Sequence, residues 1–290
     1  MSSMSSTILI TGGRGAVAGH VLAQLHQAGQ AVRVGSSDPG GLRAPGGLRV
    51  PDGVATVACD LTNPATFPAA LSGVGAVFLY AEASHIAEFT DAARAAGVEH
   101  VVLLSSATVL EPGAAGNPLA TSHLTVETAL SAAPFTSTLL RPGSFAGNAG
   151  AWAWPIRAGR PVDLPYPGAY SDPLHERDLA EAVCAVLTDP RHQGRPHHLT
   201  GPESLTFGEQ IDRLAEITGR AVAVRRVTPG EWKREMADYV PGPYADALLD
   251  YWKSYDGRPV PLTGAVEELT GHAPRTFAQW ARDHAADFTG

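Results

Sequence analysis

Short apolar runs alternate with helix-length segments through the first half of the chain, and this alternation restricts the fold more than any other feature. Two of the helical segments, residues 17–28 and 84–96, carry apolar residues at helical spacing and are each followed by a glycine. Strands that alternate with helices at this interval form parallel crossover units. The sequence therefore predicts an α/β fold with a Rossmann-type, doubly wound parallel sheet. Its strands are expected at residues 7–11, 31–34, 54–58, 76–80, 98–104 and 136–140.

The second half of the chain has a different character, because strand patterns become rare and helical patterns dominate. A capping box of Thr206 and Glu209 marks the start of one helix. We therefore expect a sheet domain over residues 1–145 and a smaller, mainly helical region over residues 146–290, packed intimately as two domains or as one. Helices in this half are predicted at residues 176–187, 206–218 and 273–288.

Charge and composition disfavour several classes of protein. The formal net charge is −8 and the basic residues do not cluster, which argues against a nucleic-acid partner. No apolar stretch reaches the roughly 18–20 residues of a membrane span. The start of the chain, MSSMSST, lacks the positive charge of a signal or transit peptide. We expect a cytoplasmic globular protein with no membrane partner, and the sequence leaves open whether it forms an oligomer.

One strand runs through three glycines into a helix, in the stretch TILITGGRGAVAGHVLAQL at residues 7–25. Gly13, Gly15 and Ala18 match the G-x-G-x-x-G/A fingerprint of dinucleotide sites in the required strand-to-helix context. Free N–H groups at such a helix start face the phosphates of the ligand. A plain glycine-rich turn is the alternative, which the further strand–helix units disfavour. The predicted contacts in this loop are Gly12, Gly13, Arg14, Gly15, Ala16 and Val17.

The end of the second strand, VRVGSSDPG, bears on which dinucleotide binds. NAD-selective sites usually place an acid there to bind the ribose 2′-hydroxyl. Ser36 and Ser37 occupy this place, whereas Asp38 stands before a proline in the outgoing turn. Two hydroxyls tolerate a 2′-phosphate, and Arg14 can supply positive charge. We predict NADP(H) and disfavour NAD(H); alternatively, the serines only form the turn and Arg14 is a solvated side chain.

Seven motifs give the chain a resemblance that covers nearly its whole length. With them the chain resembles the NmrA-like branch of the atypical short-chain dehydrogenases/reductases, in particular the NAD(P)H-binding oxidoreductases abundant in high-GC bacteria. The resemblance implies an NAD(P)-binding domain in residues 1–145 and a substrate-binding cap in residues 146–290. The motifs are TGGRGAVA (11–18), ACDLTNP (58–64), VVLLSSA (101–107), TLLRPGSFAGN (138–148), DPLHERDLAEA (172–182), HHLTGPESLTFGEQ (197–210) and TGHAPRTFAQWARDHAADF (270–288).

The same resemblance implies cofactor contacts beyond the glycine loop. Asp60 and Leu61 would border the adenine. Tyr80, Ala81 and Glu82 would lie along the ribose. Ser105 and Ser106 would end a strand near the nicotinamide. The segment that would close over the nicotinamide consists of Pro142, Gly143, Ser144 and Phe145.

The proton donor of conventional members is missing from this chain. They use Tyr-x-x-x-Lys, in which the phenol protonates the carbonyl oxygen. The lysines of this chain are Lys233 and Lys253, and neither has a tyrosine four residues earlier. Some relatives keep a lysine alone, and the alignment of TSHLTVETAL at 121–130 places His123 at that position.

His123 is therefore the predicted catalytic residue, and Glu127, four residues later on the same helical face, is expected to orient its ring. The alternative is that His123 fills a polar niche or contacts the ribose. Ser105, Ser106 and Tyr80 are weaker candidates for the proton donor.

Aromatic residues concentrate in the second half, where the region beyond the sheet would cap a ligand crevice. This predicts a small apolar or aromatic substrate in a pocket that includes Asn148, Trp152 and Trp154, although packing of a helical core explains most of these aromatics equally well. Metal binding is not expected, because the histidines of RHQGRPHH at 191–198 lack ligand spacing.

The sequence thus predicts an oxidoreductase: an NADPH-dependent reductase that transfers hydride to a ketone, a quinone or a conjugated apolar or aromatic acceptor, in secondary metabolism. Two alternatives stay open. One is a non-catalytic NADP(H)-binding sensor of the NmrA type, which the missing Tyr-x-x-x-Lys favours. The other is an isomerase or epimerase that retains its cofactor.

Overall fold

The computed structural model describes residues 6–13, 15–43 and 50–289. Within these ranges, the strands in chain order are β1 (Thr7–Ile10), β2 (Val32–Ser36), β3 (Ala55–Ala58), β4 (Val74–Tyr80), β5 (His100–Leu104), β6 (Thr136–Pro142), β7 (Val162–Leu164), β8 (Tyr170–Ser171), β9 (Pro196–Leu199), β10 (Leu205–Thr206) and β11 (Val224–Arg226). The α-helices are α1 (Ala16–Gln27), α2 (Phe67–Leu71), α3 (Ile86–Ala96), α4 (Thr121–Ala132), α5 (Ala153–Arg157), α6 (Glu176–Thr188), α7 (Phe207–Thr218), α8 (Pro229–Glu235), α9 (Gly242–Ser254), α10 (Ala265–Thr270), α11 (Phe277–Asp283) and α12 (Ala285–Thr289). No helix among the described residues is long and apolar enough to cross a membrane.

A sheet of seven strands in the order β3-β2-β1-β4-β5-β6-β9 organises the structure and confirms the predicted Rossmann-type fold. From β3 to β6 all neighbours pair in parallel, and β1 pairs with both β2 and β4. The chain builds outward from β1 to β3 on one side and then from β4 to β6 on the other. The point where this order reverses lies between β1 and β4, and ligands of doubly wound sheets bind there, outside the carboxyl ends of the strands.

The chain forms two compact units, and each unit is built from three segments rather than from one continuous half of the chain. The predicted domains were residues 1–145 and 146–290, but α6 packs against α1 and β9 joins the sheet, so this later segment belongs with the first unit. Cys184 of α6 is part of that packing, with its Sγ 3.9 Å from the carbonyl of Val21. The first unit comprises Met1–Ala115, Ala120–Pro142 and Glu176–His198, and the second comprises Gly116–Leu119, Gly143–His175 and Leu199–Gly290.

The helix predicted over residues 273–288 is instead interrupted, which corrects that expectation. Pro274 disfavours helical conformation in the residue before it, and Thr276 caps α11 in a reciprocal capping box with Gln279. Helix α11 ends with His284 as its C-cap residue, and α12 begins at the next residue, Ala285. The capping box predicted for Thr206 and Glu209 is confirmed at the start of α7.

A buried ion pair ties α4 to β6 in the first unit. The Arg141 guanidinium donates from Nε to Glu127 Oε1 at 2.9 Å and from Nη2 to Oε2 at 2.6 Å. The hydroxyl of Ser105, just after β5, also donates to Glu127 Oε1, at 2.6 Å. The Glu127 side chain is only 7% exposed and that of Arg141 19%. One carboxylate therefore holds the ends of two strands and a helix in place.

In the second unit, Asp172 fastens the segment that follows β6. Its Oδ1 accepts from the backbone N–H of Ser144 at 2.8 Å and from the Ser144 hydroxyl at 2.9 Å. Its Oδ2 is buried and has no hydrogen-bond partner in the described part of the chain. Burial, partly offset by the Ser144 hydrogen bonds, raises the pKa of Asp172 from its usual 3.8 to about 6. The carboxyl group is therefore harder to ionise in the folded protein than in the unfolded chain.

Replacing Glu127 with Gln should lower the free energy of unfolding by about 3 kcal/mol, because the Arg141 guanidinium loses its charged partner in a poorly solvated place. Denaturant unfolding measures the loss. The matched control is Asp91→Asn, which breaks an exposed pair with Arg94 and should cost at most about 0.5 kcal/mol. Equal losses in the two variants would show that the buried pair contributes no more than a surface pair.

Replacing Asp172 with Asn should remove a dependence of stability on pH. The folded carboxyl has a higher pKa than the unfolded one, so wild-type stability from this group is complete below the unfolded pKa of 3.8 and is lost as pH rises through about 6. The difference in pKa corresponds to about 3 kcal/mol. We expect Asp172→Asn to match wild type near pH 3 and to exceed it at pH 8 in thermal unfolding. A difference that does not change with pH would contradict this account.

Candidate cofactor and active site

The glycine loop lies directly after β1, at the reversal point of the sheet. Gly12 has a φ of 63°, in the left-handed region that suits glycine. The loop is closed internally, because Gly13 N–H donates to the Gly35 carbonyl at 3.1 Å and Gly15 N–H to the Gly12 carbonyl at 2.8 Å. Ala16 and Val17, the first residues of α1, have N–H groups without an acceptor inside the helix. These two amides are therefore the ones that the loop offers to an anion.

Atoms of the protein itself forbid side chains at the three glycines. A Cβ on Gly13 would lie 2.6 Å from Val34 Cγ1, and one on Gly12 would lie 2.6 Å from Tyr80 Cδ2. A Cβ on Gly15 would lie 2.7 Å from the Tyr80 hydroxyl. The fingerprint here is thus required by packing inside the loop as well as by the approach of a ligand.

A cavity of about 190 Å³ opens beside the loop, at the ends of β2 and β3. Predicted residues from three separate parts of the sequence meet in it. Sequence reasoning missed Cys59, whose thiol has a pKa raised to about 11 by burial and stays protonated. The lining combines the hydroxyl-bearing Ser36 and Ser37 with the apolar Leu61, a mixture that suits the adenosine end of a dinucleotide. The lining residues are Gly12, Gly13, Ser36, Ser37, Cys59, Asp60 and Leu61.

The acids near this cavity are already engaged. Asp38 Oδ1 accepts from the N–H of Gly41 at 3.0 Å, so it caps the following turn and is not among the cavity's lining residues. Asp38 N–H donates to Ser36 Oγ at 3.1 Å, which leaves the Ser36 hydroxyl hydrogen available for a ligand. Asp60 accepts from the N–H and the hydroxyl of Thr62, and these bonds lower its pKa. Arg14, the predicted cation, lies outside the described residues.

Of the residues expected along the ribose, Tyr80 packs its ring against Gly12 and its hydroxyl against Gly15. Ala81 packs on the core of the first unit. Glu82 Oε1 accepts from the N–H and the hydroxyl of Ser84, at 2.9 and 2.8 Å, which lowers the pKa of Glu82. Its carboxylate shapes the turn before α3.

The candidate donors at the end of β5 differ in which hydrogen they can offer. Ser105 gives its hydroxyl hydrogen to Glu127. Ser106 Oγ instead accepts from the N–H of Thr108 at 3.2 Å and from its hydroxyl at 2.9 Å. Ser106 therefore keeps its own hydrogen for a ligand, whereas Ser105 offers only lone pairs.

His123 lies half-buried on α4. Its Nδ1 is buried without a hydrogen-bond partner among the described residues. Burial lowers the pKa of His123, and the nearby charge of Glu127 opposes this only in part. The expected orienting bond from Glu127 is absent, because both oxygens of that carboxylate are engaged by Ser105 and Arg141. The ring is thus a neutral imidazole near pH 7 that is free to bond a ligand.

Two further titratable side chains near this region, Arg141 and His198, were not predicted from the sequence. Arg141 lies within the motif TLLRPGSFAGN, and no local sequence signal indicates its pairing with Glu127. His198 on β9 is half-buried, and burial followed by the charge of Arg141 lowers its pKa. Because β9 joins the sheet beside β6 from far along the chain, spacing could not reveal this proximity.

The second unit holds the residues after Pro142, the last residue of β6. Gly143 approaches Asp172 closely: a Cβ there would lie 1.9 Å from Asp172 Oδ2. Ser144 binds Asp172, and Phe145 forms a bridge with Leu174. These contacts fix the segment that was expected to close over the nicotinamide.

The three predicted pocket residues have different surroundings. Trp152 is half-buried and meets Phe207 edge-to-face at 5.9 Å between ring centroids. Phe207 meets Trp252 in the same way at 5.4 Å, so Trp152 belongs to a row of aromatic rings. Trp154 is 58% exposed and carries the Arg160 guanidinium 5.1 Å above its ring. Asn148 is exposed on the short 3-10 helix Ala146–Trp152.

Known proteins resemble this chain over almost its full length. A family model described as NAD(P)H-binding matches residues 12–190. The (4-alkanoyl-5-oxo-2,5-dihydrofuran-3-yl)methyl phosphate reductase of Streptomyces griseus is 32% identical over 285 residues, covering 97% of this chain and 99% of the relative. The NAD(P)H azoreductase of Xenophilus azovorans is 30% identical, with coverage of 97% and 99%.

A solved structure shares the fold. An NADPH-dependent quinone oxidoreductase of Escherichia coli, crystallised with NADPH, superposes with a TM-score of 0.80 at 22% identity, over 95% of this chain and 99% of that chain. The family model covers more than half of the chain, and the two reductases align with nearly all of it. The chain therefore belongs to the NAD(P)H-binding family, and it is an NAD(P)H-dependent oxidoreductase.

Proposed function

We propose that this protein is an NADPH-dependent reductase of small conjugated acceptors, such as quinones, azo compounds or enones. The observation that carries the proposal is the kind of proton donor available. By the family resemblance, His123 takes the place of the usual lysine, and Leu119, four residues earlier, stands where the catalytic phenol would be. Burial lowers the pKa of His123, so its imidazole is mostly neutral at pH 7, and the shortage of a protonated acid limits which acceptors the site can reduce.

The residues of the first unit fit the cofactor. The Ala16 and Val17 amides would bind the pyrophosphate, and Ser36 and Ser37 would contact the 2′-phosphate, with Asp38 turned away from it. Ser106 would donate to the nicotinamide carboxamide and Ser105 would accept from it. NADPH, when bound, supplies the hydride.

The acceptor class follows from the charge that hydride addition creates. A simple ketone becomes an alkoxide, whose charge sits on one oxygen and needs an acid at hand. A conjugated acceptor spreads this charge over several atoms, so a half-buried imidazole or water suffices to deliver the proton. The two related reductases support this, since one is named for azo compounds and the other for a ring whose double bond is conjugated to carbonyl groups.

The aromatic row of the second unit supports a flat substrate. Trp152, Phe207 and Trp252 are each half-buried, so part of each ring is open to contact. Partly exposed aromatic rings can stack on planar conjugated molecules. Trp154, which is paired with Arg160 on the surface, is the weaker candidate for the pocket.

Replacing His123 with Ala should lower kcat with 1,4-naphthoquinone about 10²-fold while changing the NADPH Kd less than about twofold. The imidazolium forms only below the ordinary pKa of 6.5, because burial lowers the pKa. Wild-type kcat should therefore fall as pH rises through that range, and the variant should show no such step. Steady-state kinetics and fluorescence titration measure both quantities. His26→Ala, in the exposed last turn of α1, is the control. Equal losses of kcat and affinity would mark His123 as a binding residue.

Replacing Ser37 with Asp should weaken NADPH binding at least about tenfold, because a carboxylate would face the 2′-phosphate. NADH has no such phosphate, and its ribose 2′-hydroxyl can donate to the new carboxylate, so its affinity for the same variant serves as the control and should stay the same or increase. Titration of the purified protein with each nucleotide gives the two dissociation constants. Equal weakening for both nucleotides would exclude Ser37 from the 2′-phosphate site.

A further inference from the structure

Tyr80 is a large side chain that reaches into the glycine loop from the end of β4. Two of its ring carbons lie 2.6 and 2.8 Å from where a Cβ of Gly12 would be, and its hydroxyl lies 2.7 Å from where a Cβ of Gly15 would be. The dinucleotide fingerprint does not include such a residue, since Tyr80 comes from the end of β4, far along the chain.

Hydrogen bonds fix the backbone of Tyr80 against the loop. Its N–H donates to Thr11 Oγ1 at 3.1 Å, and the Thr11 hydroxyl donates to the Phe78 carbonyl at 3.0 Å. The Phe78 ring, two residues earlier on the same face, packs edge-to-face on the Tyr80 ring at 5.4 Å. The phenol therefore has little freedom to leave the loop.

The Tyr80 hydroxyl occupies one of the anion-binding positions of α1. The N–H of Ala18, in the first turn of the helix, donates to this oxygen. Within the described part of the chain, the N-cap residue Gly15 makes no side-chain cap, because it has no side chain to supply one. Burial raises the pKa of Tyr80 to about 12, so the phenol stays protonated and retains a hydrogen to donate.

We propose that the Tyr80 hydroxyl is a ligand of the cofactor pyrophosphate. Its oxygen accepts from the Ala18 amide, and its hydrogen is donated to the pyrophosphate in place of a direct bond from that amide. The first turn of α1 would then present the Ala16 and Val17 amides and, in place of the third amide, a phenolic O–H. Hydrogen bonds in such a chain strengthen one another, and the terminal one goes to an anion. The inference rests on NAD(P)H binding by this family, not on the acceptor proposed above.

The decisive variant is Tyr80→Phe, which keeps the ring between Gly12 and Phe78 and removes only the hydroxyl. NADPH and ADP, which contain the pyrophosphate, should each bind about tenfold more weakly. 2′-AMP, which lacks the pyrophosphate, should bind as it does to wild type. Isothermal titration calorimetry gives the three affinities, and Tyr239→Phe at a 79% exposed tyrosine is the matched control.

Two results of this experiment would overturn the proposal. Unchanged or tighter binding of NADPH would show that the hydroxyl makes no bond to the cofactor. Equal weakening of NADPH and 2′-AMP would show a general disturbance of the loop. Neither readout involves turnover, so a wild-type protein that reduces no quinone would defeat the proposed acceptor and leave this test intact.

A double-mutant cycle tests the geometry independently of any ligand. The φ of Gly15 is −76°, so Ala is compatible with its backbone and only the Tyr80 hydroxyl obstructs it. Once that hydroxyl is removed, the nearest atoms to the new Cβ are at 3.3 Å. Gly15→Ala should therefore lower the denaturation midpoint clearly in wild type and much less in Tyr80→Phe. Equal shifts in both backgrounds would place the hydroxyl elsewhere and overturn the proposal.

Discussion

The central interaction of this structure is the parallel pairing of β1 with β4, closed at its carboxyl end by Thr11. One threonine hydroxyl donates to the Phe78 carbonyl and accepts from the Tyr80 N–H, so the ends of both strands are held at a fixed separation. The chain must then turn into α1 within a few residues, which requires the left-handed Gly12. The loop amides, the position of Tyr80 and the mouth of the cavity all depend on this junction.

Much of this arrangement is readable in the sequence. The alternation of strands and helices predicted the sheet, and the separated stretches around Gly13, Ser36 and Asp60 do line one cavity. Both follow from local patterns, because parallel strands bring their carboxyl ends together without further information. The boundary of the first unit was harder to predict, since the return of α6 and β9 depends on packing between segments that lie far apart in the chain.

Side-chain roles in the site were less predictable, because each depends on which partner a hydroxyl or carboxylate selects and on whether the group donates or accepts the hydrogen bond. Ser105 and Ser106 are neighbours of the same type, yet one donates to Glu127 and the other accepts from Thr108. Glu127 was expected to orient His123, but the guanidinium of Arg141 is a stronger partner and engages both of its oxygens. A helical spacing of four residues shows that two side chains can meet, and it does not show which competitor each one prefers.

Cys59 is buried and Cys184 partly buried, which has a consequence if the protein reduces the electrophilic acceptors proposed above. Quinones and enones add to sulfur, and the attacking species is the thiolate. Burial raises the pKa of Cys59 to about 11 and that of Cys184 to about 12. At pH 7 only about one Cys59 in 10⁴ is ionised, although this residue lines the cofactor cavity. In an enzyme with the proposed acceptors, these two thiols would thus be poor targets for arylation by its own substrates.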